Sequence, residues 1–598
     1  LVEVSRDEVD QILPKTKSAM PEWLVDQLQD RQQFLDLIKY LMDIAGTVPT
    51  AKLAVTDRVA AVVEDRIRGL ALIDHYGCAN CHTIDPVAAV PKKLAPDLSL
   101  STARIAPQYL QRFIADPLHV KPGTSMPDLL GSLGPDKGNS IAEAITSYLL
   151  TLTDIPFQRQ TIDPTSALRG RDLFHSVGCV ACHSPRKDDG EEWLAADSVA
   201  LGRMEEKYSL DGLVSFLSDP HASRPSGRMP NMSLTHWEAI DLANYLLRGR
   251  DGGSQSDGAD AASFETPSLA DAGKRYFEQF QCSRCHQQNG RDAGTPLLAV
   301  GDVNAERGCL SGNAGAWPRY ELTGSQIGAI RTAIEQTQDP LTDEQQILLS
   351  MQTLRCVQCH SRGNVGGVTG ERDDLFLTSD PNLGPQGRIP PTLSGIGAKL
   401  KPGWMREVLV SGRAIRPYVK TRMPQYGAVN VAHMVDLFQR VDKSLEVKKG
   451  SGGDLKEIKK VGVELAGSGG LNCVACHTFQ QKPAQTMNGV DLTEMAERLH
   501  EDWFYRYMQS PQAFNPNTVM PSFWPGGKAI RKEILEGNTT DQIEALWVYL
   551  SDGRQARVPR GLIREPIELL AGDEAVMLRR NYQGIGKRGI GVGLPGGV

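Results

Sequence analysis

The chain lacks several features that would place it in common classes of protein. No apolar run approaches the roughly 18 residues needed to span a bilayer, so no transmembrane segment is expected. Basic residues are outnumbered, with 65 Lys and Arg against 72 Asp and Glu and a net charge of -7. A nucleic-acid partner would require a basic face, so none is expected. Nucleophilic triads, phosphate loops and nucleotide motifs are not evident either.

The N-terminus also lacks the features of a secretory signal. The chain begins at Leu1, with no initiating Met, no basic segment and no apolar segment after it. We therefore expect that a signal was removed or lies outside this sequence. At 598 residues the chain is too long for one hydrophobic core, and about four to six domains are expected.

Cysteine is the residue whose placement is most informative. Ten of the eleven cysteines form five CxxC pairs, each followed directly by histidine, where composition predicts about 0.004 such strings. The motifs are Cys78/Cys81/His82, Cys179/Cys182/His183, Cys282/Cys285/His286, Cys356/Cys359/His360 and Cys473/Cys476/His477. CxxCH is the attachment signature of c-type haem, in which the thiols bind the porphyrin and the histidine ligates iron. Zinc sites pair CxxC units about 12 to 20 residues apart, which is much closer than these motifs lie, so zinc is not expected. A redox dithiol is not expected either, because it needs no histidine after the second cysteine.

Methionine gives a second, independent pattern. Composition predicts about 0.9 Met-Pro dipeptides, and the sequence contains five. Four of them follow a motif histidine by 43 to 63 residues: Met126, Met229, Met423 and Met520. A lone methionine usually fills a core, but this recurrence predicts the sixth ligand of the iron, which raises its potential.

The motifs belong to a repeat of about 100 residues. A short helix precedes each motif, and Gly69, Gly170 and Gly273 lie nine residues before the first cysteine, where a second helix can cross closely. A turn such as Pro96-Asp97-Leu98 follows the motif, then a proline-rich loop with the methionine, then a closing helix. We expect each closing helix to pack against the helix that precedes its own CxxCH.

This order of elements resembles the class I cytochrome c fold over about residues 60–555. The resemblance implies a mainly α protein, a tandem array of cytochrome c-like domains with little sheet, carrying five covalently bound haem c groups. More narrowly, Arg388–Leu393 with Lys420–Pro424 is similar to large planctomycete-type multihaem cytochromes.

The repeat predicts seven segments. They are 1–50 (the second half of a domain, with Met20 but no CxxCH), 60–155, 160–250, 265–338 (truncated), 340–445, 457–555, and 556–598 (the start of a further domain).

The third unit departs from the pattern, because no Met-Pro follows His286 and its closing helix arrives early. Its sixth ligand is left open between Cys309, Met351, Met20 and no protein ligand. His119 and His221, in the methionine loops, are the best outside candidates for an exchanged ligand.

The function expected from these features is electron transfer between redox protein partners in the periplasm or outside the cell, within a respiratory chain. One alternative is a haem enzyme that binds a small ligand at the third haem. Another is a redox subunit of a larger respiratory or extracellular assembly whose active site lies elsewhere.

Overall fold

The computed structural model describes residues 63–562, apart from 85–89, 92, 94, 188–189, 195–197, 249–263, 265, 287–297, 301–306, 312–316, 337, 369 and 444. The segment 1–50 with Met20, and most of the C-terminal extension, lie outside these residues. The described part is mainly helical, as expected. No described helix is long and apolar enough to cross a membrane.

The helices up to residue 280 are α1 (Asp65–Tyr76), α2 (Ser101–Arg104), α3 (Pro107–Ala115), α4 (Pro117–Val120), α5 (Pro135–Leu150), α6 (Pro164–Ser176), α7 (Met204–Lys207), α8 (Leu210–Ser218), α9 (Pro220–Ser223), α10 (His236–Leu247) and α11 (Pro267–Gln279). The later helices are α12 (Gly324–Glu335), α13 (Asp343–Thr353), α14 (Ile396–Lys399), α15 (Pro402–Ser411), α16 (Ala428–Val431), α17 (His433–Val441), α18 (Leu455–Ala466), α19 (Met495–Arg498), α20 (Glu501–Gln509), α21 (Pro511–Phe514) and α22 (Thr539–Leu550).

Extended structure in the described part is limited to two small sheets. Strand β1 (His82–Thr83) pairs in parallel with β2 (Leu298–Ala299), with His82 opposite Leu298. Strand β3 (Ser361–Arg362) pairs antiparallel with β4 (Val365–Gly366). The first sheet joins two segments that are more than 200 residues apart in the chain.

Local sequence sets where the longer helices begin. Proline at the first position starts α5, α6 and α11, where its missing N–H costs no hydrogen bond. Threonine caps α10, α12 and α13, each with a Glu or Gln three residues later that bonds back to the cap. These signals explain why the repeat produces similar helices at similar spacing.

Three repeats close on themselves, as expected. Helix α6 packs against α10, α13 against α17, and α18 against α22. In the first of these pairs the crossing is so close that a Cβ on Gly170 would lie 1.9 Å from the carbonyl oxygen of Asp241 and 2.8 Å from the Cβ of Tyr245. Glycine is therefore required at this crossing.

The first and third repeats instead exchange their second halves. Helix α1 packs against α12 of the third repeat, and α11 packs against α5 of the first repeat. A Cβ on Gly69 would lie 2.0 Å from the carbonyl oxygen of Ala329, and one on Gly273 would lie 1.9 Å from that of Ala144. The expectation that each closing helix packs within its own unit is therefore wrong for these two. The predicted segments 60–155 and 265–338 share their cores.

The hydrophobic cores follow the same exchange. Cys282 packs against a core that contains Ile141 and Ile145 of α5. Cys78 packs against a core that contains Ile330 and Ala333 of α12. The second half of each of these two repeats therefore buries its apolar face against the first half of the other repeat.

The same backbone bridge occurs between two pairs of neighbouring repeats. Ile105 forms an antiparallel bridge with Tyr208, and Leu400 forms one with Leu499. In both cases the bridge lies just before the helix that leads to the methionine loop. The first and second repeats are thus joined in the same way as the fourth and fifth.

Candidate cofactor sites at the five CxxCH motifs

All five CxxCH motifs share one backbone conformation. The residue before the first cysteine is left-handed in every motif: Gly77, Gly178, Gln281, Arg355 and Asn472. The next three residues form a 3₁₀ turn, in which the Cys182 amide donates to the Cys179 carbonyl at 3.2 Å and the His183 amide to the same carbonyl at 2.9 Å. Each turn therefore follows the helix that precedes its motif, as the repeat predicts.

The motif imidazoles are held by backbone carbonyls. Nδ1 lies within hydrogen-bond distance of a carbonyl oxygen in four motifs: His183 to Val199 (2.8 Å), His286 to Pro96 (2.9 Å), His360 to Pro391 (2.7 Å) and His477 to Val490 (2.8 Å). A proton on Nδ1 donated to that carbonyl leaves Nε2 to ligate a metal, which is the usual way in which a histidine ligand is oriented.

Burial keeps these imidazoles neutral. It lowers the pKa of His183 to about 4, and it also lowers the pKa values of His286, His360 and His477. Only a neutral imidazole can ligate a metal, so the four side chains are in the required protonation state at neutral pH.

The thiols differ from those of a redox dithiol. All eleven cysteines are free of disulfides. Burial raises the pKa of the first thiol to about 12 in each motif: Cys78, Cys179, Cys282, Cys356 and Cys473. Redox dithiols require a lowered pKa, so thiol–disulfide exchange is disfavoured here. Within the described ranges, no group of three or more His, Cys, Asp or Glu side chains is arranged to hold a metal ion.

The second thiol of the fifth motif has a side-chain partner that we did not expect. The sulfur of Cys476, which is predicted to bind the cofactor, is half-buried and lies 3.5 Å from the Thr486 hydroxyl. That hydroxyl donates to the Ala475 carbonyl at 2.8 Å, so the Cys476 S–H is the donor in this contact. Because an S–H group is only a weak donor, replacing it with a thioether bond forfeits little, and attachment at Cys476 stays a prediction.

Because the halves are exchanged, the turn that follows the first motif in sequence contacts the histidine of the third motif. The turn at Pro96 follows the first motif in sequence, but its carbonyl accepts from the third motif's His286. Ala95 forms a parallel bridge with His286, as Gly489 does with His477. The parallel partner of His82 is Leu298 in the third repeat. The second half of the first repeat therefore builds the site of the third motif.

The predicted methionine ligands lie in different surroundings. Met229 packs against the same core as Cys179, and Met520 against the same core as Cys473. Met423 is 38% exposed, although Tyr426 beside it packs in a small core with Cys356.

Met126 belongs to the exchanged half of the first repeat. It lies between the turn at Pro96 and helix α5, and both of these pack against the third motif. Met126 is therefore placed to serve the third motif, which has no Met-Pro of its own.

Buried cations surround these sites, and nothing in the sequence pointed to them. Burial lowers the pKa of Lys121, Lys207 and Lys399 to about 7 and that of Arg498 to about 10. Within the described part of the chain, none of these four forms a salt bridge with a carboxylate. The Nζ of Lys207 lies 4.7 Å from the Tyr208 ring, and that of Lys399 lies 4.9 Å from the Trp503 ring.

Cations act electrostatically on three of the motif histidines. The charge of Lys121 acts on His183, that of Arg416 on His360 and that of Arg498 on His477, in each case lowering the imidazole pKa. A buried cation is stabilised when an anionic group is bound beside it. The propionates of a haem are such anions, so the cations, the imidazoles and the thiols together fit a covalently attached haem.

The motifs also lie against one another in pairs. The buried side-chain amide of Asn80, in the first motif, donates to the Lys93 carbonyl at 2.8 Å and approaches the Cys285 sulfur of the third motif at 3.6 Å. The second and fourth motifs are close enough for the charge of Cys182 to raise the pKa values of Cys356 and Cys359.

The other candidates for the sixth ligand of the third motif lie elsewhere. Met351 is fully buried in the core of the fourth repeat, beside Met405 and Met434. Cys309 lies near the first motif, where its charge raises the Cys78 pKa.

The two outside histidines differ in their surroundings. His119 is exposed. His221 is half-buried, and its buried Nε2 has no hydrogen-bond partner among the described residues.

Comparison of the chain with protein-family models, curated proteins and solved structures finds no match. The case for function therefore depends on the residues and geometry described above.

Proposed function

We propose that this chain is a pentahaem c-type cytochrome that transfers electrons between redox proteins outside the cytoplasm. One observation carries the proposal. Five CxxCH motifs share a left-handed residue and a 3₁₀ turn, and in four of them a half-buried, neutral imidazole is held through Nδ1 to a carbonyl. This arrangement supplies two thiols and one metal ligand at each motif.

The proposed cofactor supplies an iron that takes up and releases one electron. The chain supplies its surroundings. Backbone carbonyls orient the imidazoles, and methionines such as Met229 and Met520 are the proposed sixth ligands. Buried cations such as Arg498 favour bound carboxylates.

The pairing of motifs supports a role in electron transfer. The first and third motifs touch through Asn80 and Cys285, and the second and fourth lie within reach of each other's thiol charges. Redox centres held in adjacent pairs allow stepwise passage of electrons along the chain. The local arrangement of helix, motif, turn, methionine loop and closing helix is similar to that of class I cytochrome c.

The proposal is tested by haem content. The full chain, secreted in a host that attaches haem c, is expected to carry five covalent haems by denaturing mass spectrometry and haem assay. The double variant Cys473→Ala/Cys476→Ala should carry four. A matched control is Cys309→Ala, which removes a thiol outside the motifs and should retain five.

Redox behaviour supplies the second part of the test. Potentiometric titration should resolve several one-electron steps whose sum matches the haem content. A secreted, folded chain that carries no covalent haem would contradict the proposal, and so would haems that no protein donor can reduce.

A further inference from the structure

The exchange of halves places the second half of the third repeat over the first motif. Strand β1, which contains His82, pairs with β2, and α1 packs against α12. Leu310 and Leu322 of the third repeat pack in the same core as Cys78. The described residues that lie opposite the first motif are therefore found between 298 and 335, apart from 301–306 and 312–316.

Within that segment, Trp317-Pro318 takes the place of Met-Pro. The methionine loops of the second and fourth repeats pair through an antiparallel bridge between Asn231 and Gln425, each two residues beyond its methionine. An antiparallel bridge of the same kind joins Asp128 to Arg319. Asp128 is two residues beyond Met126, so Trp317 holds the corresponding position before Arg319.

The closing helices give the same alignment. In the second repeat, the capping residue Thr235 follows Met229 by six residues. In the third repeat, the capping residue Thr323 follows Trp317 by six residues, with the same reciprocal capping. The closing helix of the third repeat therefore begins at the usual distance from this loop, although the stretch between His286 and the loop is shorter than in the other repeats. Tryptophan has replaced methionine.

Tryptophan cannot replace methionine as a ligand. The indole nitrogen is a hydrogen-bond donor without a free lone pair, whereas a thioether sulfur ligates iron. Trp317 precedes α12, which crosses the helix before Cys78, just as Met229 precedes α10, which crosses the helix before Cys179. The third repeat, which has tryptophan where the others have methionine, thus packs against the first motif.

We infer that the haem bound by Cys78, Cys81 and His82 lacks a methionine ligand and binds a small diatomic gas on the side of Trp317. This inference rests on the proposed function, since it requires a haem at that motif. Apolar side chains and the hydroxyls of Tyr76 and Tyr320 lie at the site, and the charge of Arg228 acts on both tyrosines. Leu310 and Leu322 pack against the same core as Cys78, and the Tyr320 ring lies 5.2 Å from the Tyr76 ring in an edge-on arrangement. An iron without a methionine ligand has a free coordination position for such a gas.

The experiment measures carbon monoxide binding to the reduced, haem-loaded full chain. One molecule per chain is expected, with a high-spin signal from one haem before the gas is added. In Cys78→Ala/Cys81→Ala, four haems should remain and the carbon monoxide uptake should disappear. In the matched variant Cys282→Ala/Cys285→Ala, four haems should remain and the uptake should persist.

Two outcomes of this comparison would overturn the inference. The first is uptake that disappears with the third motif and persists without the first, which would assign the open haem to His286. The second is a parent protein with five low-spin haems and no uptake. A chain without haem would overturn the proposed function itself, and the haem assay distinguishes that failure from the others.

Single substitutions keep the test independent of haem removal. Trp317→Met should abolish carbon monoxide uptake and add the charge-transfer absorption of a methionine-ligated ferric haem, while five haems remain attached. Unchanged uptake in this variant would overturn the inference.

Cys309→Ala tests a thiol near this motif that could act as a ligand. Unchanged uptake of one molecule is expected. Uptake that is absent from the parent and gained only in Cys309→Ala would identify the thiol as the ligand and would overturn the inference.

Discussion

The second repeat and the pair formed by the first and third repeats use the same elements in different ways. In residues 164–247, the helix before the motif, the motif and the closing helix pack on one another. In the pair, the same elements pack just as closely, but each closing helix belongs to the other repeat. Local sequence therefore specifies what a half-unit looks like and which face it buries, without specifying which copy it joins.

The lengths of the connections do not explain the difference. Pro96 follows His82 by 14 residues, and Val490 follows His477 by 13 residues in a repeat that closes on itself. The exchange needs no longer linker because the first and third motifs are neighbours, with Asn80 touching Cys285. Either half can then be reached by a connection of ordinary length.

The strongest effect is expected at the crossing of the self-contained repeat. A Cβ at Gly170 would lie 1.9 Å from a backbone oxygen, which cannot move without separating α6 from α10. Gly170→Ala should therefore lower the free energy of unfolding by about 3 kcal/mol. Hydrogen exchange should show lost protection within 164–247 alone. Unchanged thermal stability would contradict the close crossing.

Gly273→Ala applies the same change to the exchanged pair and should cost a similar amount, about 3 kcal/mol. Its signature is the location of the effect, because protection should be lost in α5, the partner of α11. The control is Gly328→Ala on α12, where an added Cβ would meet no neighbouring atom within 4 Å. This variant should raise the free energy of unfolding by up to about 1 kcal/mol. Lost protection in α12 instead of α5 would refute the exchange.

A polar network also closes the second repeat, and its loss should have a smaller effect. Asp241 is buried and accepts from Arg169 at 2.7 and 2.8 Å, as well as from Ser166. Asp241→Asn should cost about 1.5 to 3 kcal/mol, since it removes charge-assisted hydrogen bonds.

The pH dependence of that network has a definite sign. The hydrogen bond from Arg169 lowers the Asp241 pKa below its ordinary value of 3.8. Its contribution is therefore complete above that value and is lost as the pH falls through the folded-state pKa. Thermal denaturation should show the difference between parent and Asp241→Asn shrinking in this acid range. A difference that grows on acidification would contradict this assignment.

The weakest effect is expected at the contact between the loops of Met126 and Trp317. Asp128 is buried, and Arg319 lies 3.6 Å from its carboxylate while remaining 44% exposed. A double-mutant cycle with Asp128→Asn and Arg319→Gln should give a coupling of about 0.2 to 1 kcal/mol. Zero coupling would indicate that the two loops are not adjacent in solution.

Much of each site could be predicted from sequence, because it depends on local residues. The motif cysteines and histidines, the glycines before them and the turn that contains Pro391 are encoded within one repeat, although Gly69 and Gly273 cross helices of another repeat. The buried cations could not be predicted, since Lys121 and Arg498 resemble surface residues until other elements cover them. Trp317 was overlooked for another reason. Trp317 is seen to occupy the methionine position only when the methionine loops are aligned by the antiparallel bridges that join them.

The five motifs, the helical elements around them and the spacing from methionine to closing helix follow from the order of residues alone. Those features depend on covalent spacing, capping and proline or glycine conformations, which act over a few residues. Tertiary packing was needed to establish that Pro96 serves His286 and that α12 covers Cys78. Which half packs on which motif depends on which apolar faces meet, and halves built on the same pattern of elements offer a similar face to either partner.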